Sequence, residues 1–88
     1  MVKEFPDPIV LIFRGTHQVM SAEKHLKKGG VTMRLIPVPR RLTSDCGLAI
    51  KIPSIMREKA RQVLVDAKLF PKSAHILRDN GMYSTVPL

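Results

Sequence analysis

Cys46 is the only cysteine in a chain of 88 residues, and its neighbours are what give it chemical interest. Arg40 and Arg41 lie upstream, Ser44 and Asp45 directly precede it, and Gly47 follows. The thiolate is the nucleophile, so a cationic, partly exposed setting is where a reactive cysteine belongs. At the reference pKa of ~8.5 only about 3% of a thiol is ionised at pH 7. A fall of about two units, within the range known for cysteines at helix starts, makes it mostly thiolate. Asp45 opposes that fall, because a neighbouring negative charge disfavours ionisation. Ser44 and Asp45 also suit the turn itself. A turn cysteine can equally serve as a small hydrophobe, and the local sequence leaves both roles open.

The elements around this turn decide what meets Cys46. Ile9 to Phe13 is an unbroken apolar run, as expected of a central strand buried on both sides. Gly15 breaks it, and Thr16 is placed to cap the helix that follows. Val19, Ala22 and Leu26 recur at helical spacing while Lys24, Lys27 and Lys28 face away. Gly29–Gly30 supplies a left-handed stop. Val31 to Val38 alternates as a half-buried strand, and Pro37 and Pro39, lacking amide donors, assign it to a sheet edge. Gly47 to Ile52 reads as another strand, with Leu48, Ile50 and Ile52 on one face. Pro53–Ser54 opens a second helix with a Met56, Ala60, Val63 and Ala67 stripe. Ala74 to Arg78 is the last core strand. Asp79-Asn80-Gly81 signals a turn, leaving the tail to add an edge strand or stay loose.

Strand–helix–strand–strand–helix–strand is the ferredoxin-like βαββαβ order of an α+β domain. It predicts a four-stranded antiparallel sheet covered by two helices on one face, with the first and third strands central. The whole chain, 1–88, reads as one domain with its core over about residues 8–78 and a tail over 79–88. The turn before the third strand then lies where the first strand ends and the first helix begins. Cys46 should sit beside Gly15, Thr16 and His17, where helix-start amides favour an anion. Its parity with Leu48 points the sulfur toward the helix-covered face, unless a bulge at Gly47 reverses it. His17 could act there as base or cation, although a first-turn histidine is more often simply solvated.

Composition narrows the classes. The net charge of +8 invites an anionic partner, but the cationic residues are spread along the chain without a block of five. RNA-binding modules on this fold stack bases on central-strand aromatics. Here Phe13 stands alone in the first strand and the third has none, which argues against specific nucleic-acid binding. His17, His25 and His75 are scattered, so no metal site is expected. No nucleotide-binding, hydrolase or zinc-protease motif occurs, and no cofactor is indicated. A single cysteine gives no internal disulfide, no apolar run nears the ~20 residues of a membrane span, and MVKEFPDP does not read as a signal peptide. Cytoplasmic location is the expectation. An uncovered sheet face would leave valine and isoleucine in water, which would favour a homodimer.

The run GTHQVMSAEKHLKKGGV followed by RLIPVPRRLTSDCGLAI resembles the small selenium/sulfur carrier-like family. The shared features are the Thr16–His17 helix start, Ala22–Glu23–Lys24, the Pro37–Val38–Pro39–Arg40 segment and the Ser44–Asp45–Cys46–Gly47 turn. The likeness spans about residues 9–78, and Thr43 stands where members often carry serine. The resemblance implies that Cys46 holds sulfur or selenium, as a persulfide or selenopersulfide, between donor and acceptor proteins. Amides near Thr16 and His17, with Arg40, would steady the anionic terminal atom. The alternative is a non-catalytic module of the same fold that binds a small anion or a protein partner.

Overall fold

Ile9–Ile12, three of whose four residues are β-branched, form strand β1, and all four are buried. A strand so apolar on both sides must be covered on both sides, and it lies in the middle of the sheet. The computed structural model describes residues 7–39, 42, 47–78 and 80–88. Helix α1 (Thr16–Lys28) follows β1, then strands β2 (Arg34–Pro37) and β3 (Leu48–Ile52). A single 3-10 turn (Ser54–Met56) leads into helix α2 (Arg57–Asp66). Strands β4 (Ser73–Leu77) and β5 (Tyr83–Val86) complete the chain.

The sheet runs β2-β3-β1-β4-β5, with every neighbouring pair antiparallel. It therefore has five strands among the described residues, where four were expected. The fifth comes from the tail: Ala74 to Leu77 pair with Val86 to Tyr83 in reverse. The turn between them is held by Gly81 N–H on the Arg78 carbonyl at 3.0 Å and Met82 N–H on Asn80 Oδ1 at 2.9 Å. Gly81 has a φ of 81°, which a glycine adopts without steric cost. Val86 and Leu88 pack against the main core, and the Arg57 guanidinium donates to the Pro87 carbonyl. Tail and domain are thus one packed unit.

Both helices lie on the same face. Ile9, Leu11 and Phe13 share one buried cluster with Val19, Ala22 and Leu26 of α1, Ile50 and Ile52 of β3, and Ala60 and Leu64 of α2. The α1 stripe is as its spacing predicts. In α2 the buried pair is Ala60 and Leu64, with Met56 and Val63 half-buried beside them. The expected positions Met56, Ala60, Val63 and Ala67 are thus buried or half-buried, and Leu64, one turn beyond Ala60, widens the stripe.

Helix ends explain two further boundaries. Gly30 N–H bonds the Lys27 carbonyl and Val31 N–H bonds the Leu26 carbonyl, a Schellman closure with Gly30 at φ 79°. Val31 spends its amide on this closure and buries its side chain near Leu26. Strand β2 accordingly starts at Arg34, three residues later than expected. Helix α2 ends in the same way through Lys68 and Leu69, with Lys68 at φ 57°, a conformation that costs a non-glycine about 1 kcal/mol.

Gly29 has a different purpose. A Cβ there would meet Val63 Cγ2 at 2.7 Å and the His25 carbonyl at 3.3 Å. The two helices approach across this glycine. Gly29→Ala should therefore destabilise the protein by about 1–3 kcal/mol, the usual range for overpacking. A matching fall in the urea midpoint checks this, and an unchanged midpoint would mean the helices separate freely there.

Candidate functional site

The opposite face of the sheet is covered by the chain itself. Val10, Ile12 and Ala49 are buried there beneath Ile36, Val38, Leu42 and Tyr83. Leu42, which lies in sequence between β2 and β3, packs over this face. The apolar face that self-association would have covered is not in water.

Register places the residues expected around the cysteine turn. Ile12 pairs with Ala49, so the start of β3 adjoins the end of β1 and hence the start of α1. Gly47 lies at this end, exposed, with its carbonyl accepting the Val38 N–H at 3.1 Å. A Cβ on Gly47 would meet nothing within 4 Å. The N-cap is Gly15 rather than Thr16, because Val19 N–H bonds the Gly15 carbonyl and Thr16 is already helical. The helix start has no side-chain cap and no acidic residue in its first turn. Thr16 and His17 are both exposed on that turn. Thr16, His17 and Gly47 therefore share one end of the sheet. Cys46, Arg40, Arg41, Ser44 and Asp45 lie outside the described residues, as does Thr43.

A second constellation was not foreseen. A groove of about 500 Å³ opens between Leu42 and strands β4 and β5. Its lining combines Leu42, Met82 and Tyr83 with Lys72, Ser73, His75 and Thr85. His75 is the hub: Ser73 Oγ lies 2.9 Å from its Nε2 and Thr85 Oγ1 lies 3.4 Å from its Nδ1. Burial lowers the pKa of His75 below the ordinary histidine value, which favours the neutral ring. A neutral imidazole donates from one nitrogen and accepts at the other. One hydroxyl therefore receives the ring proton while the other gives its own.

These residues are ordinary in sequence, which is why they pass unnoticed there. The signal available was alternation: Ser73 and His75 on one strand, Tyr83 and Thr85 on the next, all on one sheet face. Finding it required knowing that the tail pairs with β4.

The sequence model of one family, described as "Putative Se/S carrier protein-like", matches residues 9–76. The matched region spans β1 to the penultimate residue of β4 and includes Cys46. No curated protein and no solved structure gives a significant match. With most of its length matched, the chain belongs to the Se/S carrier protein-like family.

Proposed function

We infer that this protein is a cytoplasmic carrier that holds sulfur or selenium on Cys46 and passes it between a donor and an acceptor protein. Family membership over residues 9–76 is the observation that carries this reading. The strand order β4-β1-β3-β2 agrees with a ferredoxin-like domain, to which β5 adds an edge.

The chemistry is a balanced exchange. The Cys46 thiolate attacks the outer sulfur of a donor persulfide; the donor S–S bond breaks as the new one forms, and the donor departs as a thiolate. No external oxidant is consumed. Transfer onward repeats the step with an acceptor thiolate attacking the outer atom. A single cysteine suits this, since no second thiol of the chain can displace the cargo as an internal disulfide. Gly47 is exposed at the same end of the sheet as the start of α1, which has no acidic residue in its first turn; a thiol brought near that start would be favoured as the thiolate. Arg40 and Arg41 add positive charge nearby in sequence.

The rate of Cys46 alkylation by iodoacetamide, followed against pH, tests this. The midpoint should fall clearly below the reference value of ~8.5. A midpoint at or above that value would leave the carrier without its activated thiol.

A further inference from the structure

We propose that the groove bounded by Leu42, Lys72, Ser73, His75, Tyr83 and Thr85 is a binding site for a small organic anion with an apolar body. This goes beyond sulfur carriage and does not depend on Cys46.

Size comes first. A groove of about 500 Å³ lies within the range of small-molecule sites, roughly 300–1,000 Å³. A water molecule takes only about 30 Å³ of liquid volume, so a bare inorganic ion would leave most of the space to solvent. The occupant therefore has a body as well as a charge.

Polarity sets the sign of that charge. Among the described residues the lining holds one cation, Lys72, and no carboxylate. The His75 ring orders two hydroxyls, those of Ser73 and Thr85, from opposite nitrogens. Whichever hydroxyl accepts the ring N–H keeps its own proton to donate outward. The Lys72 ammonium and the Tyr83 phenol can supply further donors beside it. Donors thus predominate over acceptors, the arrangement that recognises a carboxylate or a phosphate monoester.

The remaining wall is apolar. Leu42 and Tyr83 pack onto the Val10–Ile12–Ala49 cluster, and Met82 is exposed at the rim. An aromatic ring with flexible thioether and leucine neighbours forms a natural seat for a ligand's hydrocarbon part. The groove is also firmly built. Lys72 N–H bonds the Ile12 carbonyl at 2.7 Å, and the register of β4 with both β1 and β5 fixes Ser73, His75 and Thr85.

The test is an NMR titration of the full chain with benzoate and with phenyl phosphate, using benzyl alcohol as the uncharged control. The expected result is saturable shifts at the Ser73, His75 and Thr85 amides with at least one of the two anions. Saturation by benzoate alone would identify a carboxylate ligand class, and by phenyl phosphate alone a phosphate ester. Lys72 is exposed, so Lys72→Ala should fold normally and bind about tenfold more weakly. Lys28→Ala, on α1, should bind as the parent does. Equal losses in the two variants would mean that the anions merely sense a basic protein, overturning the proposal. So would benzyl alcohol binding as tightly as the anions, or no saturation with either anion.

Discussion

Replacing Phe13 with alanine should cost roughly 3–5 kcal/mol of folding stability, the usual loss for a fully buried aromatic. Phe13 is 1% exposed and belongs to the helix-side cluster, just after β1 and before the chain turns into α1. Removing the ring forfeits its burial and leaves a cavity among groups that β1 and α1 hold in place. Domains typically keep only about 5–15 kcal/mol in total, so the variant should sit near the limit of folding. Urea denaturation would read this as a large fall in midpoint with little change in slope. Ile55, 88% exposed, is the natural comparison: Ile55→Ala should move stability by no more than about 0.5 kcal/mol. Similar losses at both positions would mean that the helix-side cluster is not the main source of stability.

Much of the fold was legible because its strongest signals are local. The Ile9–Phe13 run suits a central strand buried on both sides or nearly so, and β1 is buried and central. Val19, Ala22 and Leu26 announced the buried face of α1, and Gly29–Gly30 announced its end. Pro37 and Pro39 argued for an edge, where β2 indeed lies. The misreadings arise where one residue serves two elements. Val31 alternates like a strand residue, yet its amide closes the turn after α1. Leu64, absent from the expected stripe, is buried because it lies four residues after Ala60 on the same helix face. The tail gave only a turn signal. Its pairing with β4 depends on tertiary contacts, such as Arg57 with Pro87, that no short window contains.

The site divides in the same way. The cysteine stretch drew attention through residue type, one thiol among arginines and a glycine, and its residues 40, 41 and 43–46 lie outside those the structure describes. The bracketing positions Thr16, His17 and Gly47 fall at one end of the sheet, as the expected strand order required. The groove around His75 was not visible, because serine, threonine and histidine on strands are unremarkable until register brings them together.

Cys46→Ser should abolish sulfur loading altogether while leaving the fold intact. Serine is close to cysteine in size, and its hydroxyl stays protonated near neutral pH, so it can neither attack a donor persulfide nor retain the transferred atom. The effect is accordingly all or none, whereas substitutions at Arg40 or His17 should change only the rate of loading.

Intact-protein mass spectrometry after incubation with a cysteine desulfurase and cysteine is the most direct measurement. A mass increase of one sulfur atom on the parent protein, removed by reductant and missing from Cys46→Ser, is the predicted result. A parent protein that stays unmodified across several donors, or a Cys46→Ser variant that gains the same mass, would contradict sulfur carriage at this cysteine.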